Sequence, residues 1–286
     1  MPQLLAFYIA LGKVLLIGGP TASGKSDLAL KKAKALDGVI INGDSLQVYR
    51  GLEILTAQPS LQEYQEVRHH LYGFLDPSQT FSVGKWLPLV TSEIEAALKN
   101  NKLPIVVGGT GLYLKSLRDG ISTIPPIDPQ IRKQLEGSQK ENYAKLKKVD
   151  PFLAERLSPQ DCQRTLRGLE VYYGTGKPLS FWQAQKPLPS DYKFETCLLM
   201  PSKQELEDRI TLRLHKMLEQ GVLDEISRLQ LFFPSSQARK AIGFREFEAY
   251  LKGEISFGDA FELTLIHTRQ YIKRQSTWFR HQFKKT

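Results

Sequence analysis

The run GGPTASGKS at residues 18–26, which directly follows the apolar segment 14–17, restricts the fold more than any other feature of the sequence. It contains the pattern GxxxxGK[ST], which after an apolar segment predicts a strand that enters a phosphate-binding loop. Glycines let the backbone curl so that successive N–H groups face an anion, Lys25 adds a positive charge, and the Ser26 hydroxyl can ligate Mg²⁺. The pattern leaves the ligand open among di- and triphosphates, and the alternative interpretation is a glycine turn beside a surface lysine.

Length and composition indicate a folded protein with a sizeable core. A chain of 286 residues with 41% hydrophobic content allows one large domain or a core that carries an insertion. Cys162 and Cys197 lack a CxxC pattern and histidine partners at zinc spacing, so neither a disulfide framework nor a structural metal is expected. The apolar N-terminal segment lacks the basic start of a signal peptide, and no stretch is long enough to cross a membrane. We therefore expect a cytoplasmic protein.

Positive charge is concentrated at the C-terminal end. The formal net charge is +9, and residues 266–286 contain basic and aromatic side chains but no acidic one. Such a segment suits RNA, whose phosphates attract cations and whose bases stack on aromatic rings. A solvated terminal helix with its aromatic side chains packed on the core would show the same pattern, so both interpretations stay open. The basic residues are Arg269, Lys273, Arg274, Arg280, Lys284 and Lys285, and the aromatic ones are Tyr271, Trp278, Phe279 and Phe283.

Apolar segments alternate with helical periods in the first 120 residues, which predicts an α/β fold. Strands that alternate with helices form a parallel sheet covered by helices on both faces, and ligands bind at the carboxyl ends of its strands. The phosphate loop, Asp44 and the run GGTG at residues 108–111 are therefore expected to face one crevice. The expected elements are strands at 14–17, 38–42 and 105–107, and helices at 26–36 and 82–99, with an irregular stretch around His69 and His70 before the second helix.

The composition changes beyond Asp119. Residues 124–129 contain three prolines and are expected to be a linker, and polar, helix-like sequence follows to about residue 176. A further core strand is expected at 193–200. From residue 201 the apolar positions recur with a helical period.

Seven runs occur in order along nearly the whole chain: GPTASGKS, DSLQVYRG, HHLYGFLDP, VVGGTGLYLKSL, DCQRTLRGLEVYYGTGKPLS, KAIGFRE and TRQYIKRQSTWFR. Together they resemble the bacterial tRNA dimethylallyltransferases, the isopentenyl-tRNA transferase family. GPTASGK alone is only suggestive, whereas DSxQVYRG and KRQ-x-TWFR are specific to this family and do not belong to nucleotide kinases. The resemblance implies transfer of a five-carbon prenyl group from dimethylallyl diphosphate to N6 of adenosine 37, beside the anticodon.

The resemblance also implies the domain organisation and the partners. Residues 1–118 and 190–286 would form a P-loop NTPase-like catalytic core with a basic helical C-terminal part. Residues 119–189 would form a small inserted helical domain that closes over the RNA. The partners would be the anticodon stem-loop of tRNA and dimethylallyl diphosphate, with Mg²⁺ as cofactor and a monomer as the expected state.

Family correspondence assigns the catalytic roles. Asp44 matches the carboxylate that takes the N6 proton, and contact with Mg²⁺ is its alternative role. Thr110 resembles a threonine that lines the passage where adenine meets the donor. Lys203, Arg209 and Lys216 have weaker claims than Arg213, which matches the diphosphate-contacting arginine of the pattern RIxxR. The expected diphosphate-binding residues are Gly19, Pro20, Thr21, Ala22, Ser23, Gly24, Lys25, Ser26 and Arg213, of which Ser26 would also ligate the metal.

The resemblance assigns the grip on a distorted anticodon loop to four further segments and to Arg132. Their side chains are mostly basic or amide groups, as contacts with phosphates and base edges require. His69 and His70 lack metal-like spacing and are interpreted as structural. The expected tRNA-binding residues are Asp44, Ser45, Leu46, Gln47, Thr110, Arg132, Gln163, Arg164, Thr165, Leu166, Arg167, Lys240, Gly243, Phe244, Arg245, Lys273, Arg274, Gln275, Trp278 and Arg280.

The sequence departs from the family pattern at several positions. Asn42 and Gly43 stand in place of the usual Ser-Ala, and Gln58 stands in place of a lysine, which could weaken one anion contact. Gly168 stands in place of an alanine inside an expected helix, at a cost of about 1 kcal/mol. The stretch between residues 132 and 150 is several residues short. None of these departures touches the phosphate loop, Asp44 or Arg213, so activity is expected.

Two other classes of function are compatible with parts of the sequence. A small-molecule kinase that uses ATP would have the same fold and loop, but the basic aromatic C-terminal segment and DSLQVYRG argue against it. A non-catalytic RNA-binding protein with a relic loop is the second class. The intact set of Gly24, Lys25, Ser26, Asp44 and Arg213 argues against that class.

Overall fold

The structure is a computed structural model that describes residues 12–135, 137–185, 191–232 and 234–283. Its strands are β1 (Lys13–Gly18), β2 (Gly38–Asn42), β3 (His69–His70), β4 (Leu103–Gly108) and β5 (Lys193–Leu198). Its helices are α1 (Lys25–Ala35), α2 (Glu53–Thr56), α3 (Leu61–Glu66), α4 (Val83–Lys99), α5 (Gly111–Asp119), α6 (Pro129–Gln134), α7 (Gln139–Val149), α8 (Pro151–Arg156), α9 (Cys162–Thr175), α10 (Leu179–Ala184), α11 (Lys203–Glu219), α12 (Val222–Gln230), α13 (Phe244–Leu251) and α14 (Phe257–Gln282), with a 3₁₀ turn at Ala238–Lys240.

The chain divides into two compact units, with boundaries after Arg118 and after Ser190. The larger unit contains all five strands, and the smaller unit is helical. Among the helices of the described ranges, none is long and apolar enough to cross a membrane.

The five strands form one parallel sheet in the order β3-β2-β4-β1-β5. In this order β4 lies between β1 and β2, with Leu16 opposite Val106 on one side and Ile41 opposite Val106 on the other. The carboxyl ends of β2, β4 and β1 are therefore consecutive along one edge of the sheet. The predicted α/β fold with a parallel sheet is confirmed.

Both faces of the sheet are buried. Side chains alternate between the two faces along each strand, so each central strand contributes to both apolar clusters. In β1, Val14 and Leu16 join an apolar cluster that includes Trp86 of α4, whereas Leu15 and Ile17 join a second cluster on the opposite face. The second cluster includes side chains of α1. An uninterrupted apolar run, rather than an alternating one, is what a strand buried on both faces requires.

The two edge strands differ from the sequence predictions. The segment that includes His69 and His70 was expected to be irregular, but these two residues pair in parallel with Ile40 and Ile41. The segment 193–200 was expected to be a core strand, but β5 pairs only with β1 and is largely exposed. Edge strands have one neighbour instead of two, so their side chains are less buried than those of central strands.

The smaller unit has its own apolar core, formed by Leu146, Leu153, Leu169 and neighbouring side chains. Gly168 of α9 is buried, and a Cβ at this position would lie 2.7 Å from Leu146 Cδ1 and 2.8 Å from Leu153 Cδ2. Gly168, a departure from the family pattern, thus allows α9 to approach α7 and α8 closely.

Close contact between two glycines joins the carboxyl ends of β2 and β4. The Gly43 N–H donates to Val107 O at 2.8 Å, and a Cβ on Gly108 would lie 2.1 Å from Gly43 O. Because the obstructing atom is backbone, it cannot move without shifting the strand end that leads to Asp44. The spacing of these two strand ends therefore depends on glycine at position 108.

We expect Gly108→Ala to lower the free energy of unfolding by roughly 1–3 kcal/mol, as overpacking of a rigid interior does. Gly84→Ala is the matched control, since a Cβ there would lie 3.8 Å from its nearest neighbour, Ser82 Oγ. Alanine is also the better helix former at position 84. Urea denaturation of both variants measures the difference, and equal stability of the two would contradict the prediction.

Candidate active site

The phosphate loop joins β1 to α1 and has the curled backbone that an anion site requires. Gly19, Ala22 and Gly24 have positive φ angles of 151°, 60° and 86°. A Cβ on Gly19 would lie 2.3 Å from Leu199 O, so the loop packs against the chain that leaves β5. The Ser23 hydroxyl is buried and has no hydrogen-bond partner among the residues that the structure describes. A tight loop with an unused buried hydroxyl at the start of a helix suits a bound phosphate group.

Lys25 is the first residue of α1 and turns back into the loop. Its Nζ donates to Pro20 O at 2.6 Å. Burial lowers the pKa of Lys25 to about 8, Asp44 acts in the opposite direction, and Arg213 lowers the pKa further. The ammonium group is half-buried and donates to a carbonyl, so a phosphate anion would stabilise its charged form.

Asp44 follows β2 and is held from both ends. The Asp44 N–H donates to Asn42 Oδ1 at 2.8 Å, and Asn42 Nδ2 donates to Asp44 O at 3.0 Å. The carboxylate accepts from Leu46 N at 2.9 Å through Oδ1 and from Gly109 N at 3.3 Å through Oδ2. Asn42 is fully buried and also donates to Leu71 O at 2.9 Å, so a residue noted only as a family departure fixes the turn before Asp44.

Arg213 lies on α11 and is brought to the same site. One of its guanidinium nitrogens donates to Thr56 O at 3.3 Å. Burial lowers the pKa of Arg213, and the charge of Asp44 opposes this effect. Lys25, Asp44 and Arg213 thus act on one another electrostatically, and together they form a site with two cations and one carboxylate.

Arg209 lies one turn before Arg213 and contacts the phosphate loop itself. Its Nη1 donates to Ser23 O at 3.2 Å, and a Cβ on Gly24 would lie 3.7 Å from the same nitrogen. Arg209 was expected to have a weaker claim than Arg213, because a helical period cannot tell which of two neighbouring arginines reaches a distant loop. Lys203, another weak candidate, is exposed and pairs with Glu207 at 3.6 Å.

Thr110 holds the segment that follows Asp44. Its Oγ1 accepts from Ser45 N at 3.0 Å and donates to Ser45 Oγ at 3.2 Å. The loop after β4 therefore contacts the loop after β2 twice, through Gly109 to Asp44 and through Thr110 to Ser45. Gln47 lies further along, and its amide donates to Thr56 O and Ala57 O at 3.0 and 2.8 Å.

A pocket of about 180 Å³ opens beside Ser26. Ala29, Ile40 and Val107 form apolar parts of its wall. Burial raises the pKa of Tyr72, another lining residue, with further contributions from Tyr64 and Asp44, so the phenol stays protonated. Tyr72 lies in the run HHLYGFLDP, but no role was expected for it from the sequence. The remaining lining residues are Gln47, Ala57, Gln58, Pro59, Glu63 and His69.

Gln58 and the two histidines have structural partners. Gln58 Nε2 donates to Tyr49 O at 2.8 Å, so the amide that replaces the family lysine is tied to the backbone. His69 Nδ1 lies 2.9 Å from Val67 O, and His70 Nδ1 lies 2.9 Å from Glu93 Oε2. Within the described ranges there is no group of three or more His, Cys, Asp or Glu residues that could hold a metal ion.

The predicted tRNA-binding residues from 240 to 280 include both exposed and buried side chains, with Trp278 half-buried between these extremes. Lys240, Arg245, Lys273, Arg274 and Arg280 are exposed. Phe244 is fully buried and Gln275 is 7% exposed, so in this conformation their side chains pack inside the protein instead of facing RNA. A motif assigns a whole segment to RNA, but a helix alternates between exposed and buried positions within each turn. Lys284 and Lys285 lie outside the described residues.

In the smaller unit, Arg132 and Arg167 both reach Glu170, at 3.2 and 3.1 Å. Arg164 pairs with Asp161 at 2.9 Å, and Gln163 is exposed. Thr165 is fully buried, so its predicted contact with RNA is not available to its side chain in this conformation. Leu166 is half-buried.

The sequence is similar to those of known proteins along most of its length. The sequence model of the family described as IPP transferase matches residues 47–282. The tRNA dimethylallyltransferase of Bartonella tribocorum is 45% identical over 287 residues, covering 96% of this chain and 97% of the relative. The enzyme of the same name from Pelagibacter ubique is 43% identical over 276 residues, covering 94% of this chain and 88% of the relative.

Two solved structures are similar to this one. A eukaryotic dimethylallyltransferase acting on tRNA matches with a TM-score of 0.82 and 31% identity, over 95% of this chain and 72% of its own. The tRNA isopentenylpyrophosphate transferase of Bacillus halodurans matches with a TM-score of 0.68 and 35% identity, over 94% of this chain and 87% of its own. With the family model matched over residues 47–282 and relatives at 43–45% identity along nearly all of its length, this chain belongs to the IPP transferase family.

Proposed function

We propose that this protein transfers a dimethylallyl group from dimethylallyl diphosphate to N6 of adenosine 37 in tRNA and releases diphosphate. The observation that carries the proposal is the convergence of Lys25, Arg213 and Asp44 at one edge of the sheet, beside the phosphate loop. Two half-buried cations suit a diphosphate leaving group, and a fixed carboxylate suits a base. The relatives named above support the identity of donor and acceptor.

The phosphate loop would hold the diphosphate of the donor. The bond between C1 of the prenyl group and the diphosphate oxygen breaks, so negative charge grows on that oxygen. Lys25 and Arg213 lie in a desolvated site and need no large reorganisation to stabilise this charge. Arg209 already contacts Ser23 O and would strengthen the same end of the site.

Asp44 would act as the base. The N6 lone pair is delocalised into the purine ring, so the amine acquires positive charge as its bond to C1 forms. The Asp44 carboxylate takes one N6 proton, and the products are the N6-prenylated adenosine and diphosphate. The Leu46 and Gly109 amides occupy one position on each carboxylate oxygen and orient the remaining ones, which keeps the base fixed.

Mg²⁺ fits the site through Ser26. Its hydroxyl is exposed at the start of α1, and Mg²⁺ is commonly held by one or two protein oxygens together with substrate phosphates and water. When bound, Mg²⁺ would offset the charge of the departing diphosphate.

The exposed cations of α14 would hold the RNA. Lys273, Arg274 and Arg280 lie on the solvent side of this helix, where contacts with phosphates position a nucleic acid. The target adenine must leave its stack before N6 reaches the donor.

The pocket beside Ser26 has a partly apolar wall and would hold the five carbons of the donor. A ribose would fit this pocket badly.

Transfer of label tests the proposed function. The protein is incubated with Mg²⁺ and tRNA that carries A36 and A37, in parallel with labelled dimethylallyl diphosphate and with γ-labelled ATP. We expect label in RNA only from the prenyl donor, and analysis of the nucleosides should place it on adenosine 37. Label from ATP alone would contradict the proposal and restore the kinase alternative.

In the same assay, Asp44→Asn should lower turnover by at least about 10²-fold, because it removes the base. Binding of donor and RNA should change little, since neither depends on proton removal. Asp208→Asn is the matched control, because Asp208 is an exposed carboxylate on the helix that carries Arg213. A variant at position 44 that kept more than half of the turnover would show that Asp44 is not the base.

The affinity for inorganic pyrophosphate should fall as the pH rises above about 8, where free Lys25 loses its proton. A bound anion raises the pKa of Lys25, so the decline continues until the pH reaches this raised value. Calorimetric titration of the wild type and of Lys25→Met from pH 7 to pH 9.5 measures the effect. The variant shows the titration of pyrophosphate itself, and parallel curves for both proteins would contradict the prediction.

A further inference from the structure

The strongest unexplained feature of the site is a buried amide that connects two of its loops. Gln275 lies on α14 and is 7% exposed. Its Oε1 accepts from Thr21 N at 2.9 Å, and its Nε2 donates to Gly109 O at 2.7 Å. One side chain thus joins the phosphate loop to the loop that follows β4. The orientation of the amide is fixed, because a backbone N–H can only donate and a carbonyl can only accept.

We propose that Gln275 is a positioning residue for the transfer reaction proposed above, which fixes the phosphate loop relative to Asp44. The connection continues beyond Gly109, whose N–H donates to Asp44 Oδ2 at 3.3 Å. A continuous set of hydrogen bonds therefore runs from Thr21 through Gln275 and Gly109 to the carboxylate. One end of this set lies in the phosphate loop, which would bind the leaving group. The other end is the Asp44 carboxylate, which would take the proton of the acceptor.

The space around this amide admits little else. A Cβ on Gly109 would lie 2.6 Å from Gln275 Nε2 and 3.2 Å from Asp44 Oδ2. The contact therefore requires glycine at position 109. Glutamine also matches its two partners chemically, since it presents one acceptor and one donor at the end of the same side chain.

The rest of α14 holds Gln275 in place. Trp278 and Phe279 follow it on the inward side of the helix. A Cβ on Gly111 would lie 2.2 Å from the Trp278 ring, and a Cβ on Gly18 would lie 2.9 Å from Phe279 Cε1. The helix thus packs against the end of β1 and the start of α5, next to the two loops that Gln275 connects.

This arrangement changes the role of two predicted residues. The Thr21 N–H was expected to face the diphosphate, but it donates to Gln275. Gln275 was expected to contact RNA, but its amide has two protein partners and is buried. Gln275 would touch neither substrate. It would therefore affect the reaction only by fixing the position of the phosphate loop, which carries Lys25 at its end, relative to Asp44.

The first test is a change in the amide chemistry. In Gln275→Glu the ionised carboxylate can still accept from Thr21 N, but it faces Gly109 O without a proton to donate. Burial and the neighbouring Asp44 raise the pKa of the introduced carboxyl group, so it gains a proton toward lower pH and can donate again. We expect the turnover of the variant, divided by that of the wild type at the same pH, to rise at least about 5-fold from pH 8.5 to pH 6.

Gln270→Glu is the matched control, since Gln270 is an exposed glutamine on the same helix. A carboxyl group there keeps an ordinary pKa near 4.3, so the turnover ratio should stay flat over this range. A flat ratio for Gln275→Glu as well would overturn the proposal, because a merely structural defect has no reason to be repaired by one proton.

A second variant covers the case in which a buried carboxylate prevents folding. Gln275→Met keeps the length of the side chain and removes both hydrogen bonds. We expect kcat to fall about 10-fold or more, with the KM for RNA within about 2-fold of the wild type, since the residue does not touch RNA. A raised KM for RNA with unchanged kcat would overturn the proposal.

Binding of inorganic pyrophosphate separates this proposal from the proposed function. If the wild type transfers no prenyl group, the function is wrong, and the role of Gln275 is decided by affinity alone. Pyrophosphate affinity that is at least about 5-fold weaker in Gln275→Met than in the wild type would support the role. Equal affinities, or no binding by the wild type, would overturn it.

Discussion

The adjacency of β2, β4 and β1 in a parallel sheet is the constraint on which the candidate site depends. Each strand ends in a loop at the same edge, so Asp44, Gly109 and the phosphate loop meet although they are distant in sequence. Both faces of the sheet are buried, and its central strands are locked by hydrogen bonds to two neighbours. The loops are therefore held at one edge of the sheet by its hydrogen bonds and by the packing on both of its faces.

Glycines complete this constraint at the strand ends. Gly108 lies against the backbone of Gly43, and Gly109 lies between Gln275 and Asp44. In both cases a methyl group would occupy the space of a neighbouring backbone or amide atom. Strand ends that approach this closely leave the loops little freedom, which suits a site where a leaving group and a base must act together.

The charges of the site are held in an environment that favours an incoming anion. Lys25 and Arg213 are both half-buried, and desolvation lowers the pKa of each. A single carboxylate, Asp44, opposes these shifts. Two desolvated cations and one anion leave an excess of positive charge, which a diphosphate would neutralise.

Several features follow from the sequence alone. The run GGPTASGKS after an apolar segment is sufficient to predict a strand, an anion-binding loop and a helix, because only a few backbone geometries satisfy that spacing of glycines. The central strands are predictable from their apolar runs, and Asp44 from its place after one of them. The family motifs extend the prediction to Arg213. No local pattern could show that its side chain reaches the site.

Only the tertiary structure decides which side chain within a motif faces the site. Gln275, Phe244 and Thr165 lie in segments that the motifs assign to RNA, yet they are buried. Arg209 and Tyr72 carry no distinctive local signal, yet one contacts the loop and the other lines the pocket. The two edge strands were misjudged for the same reason. Burial and partners depend on which elements pack together, and contacts between residues far apart in the chain leave no trace in local periodicity.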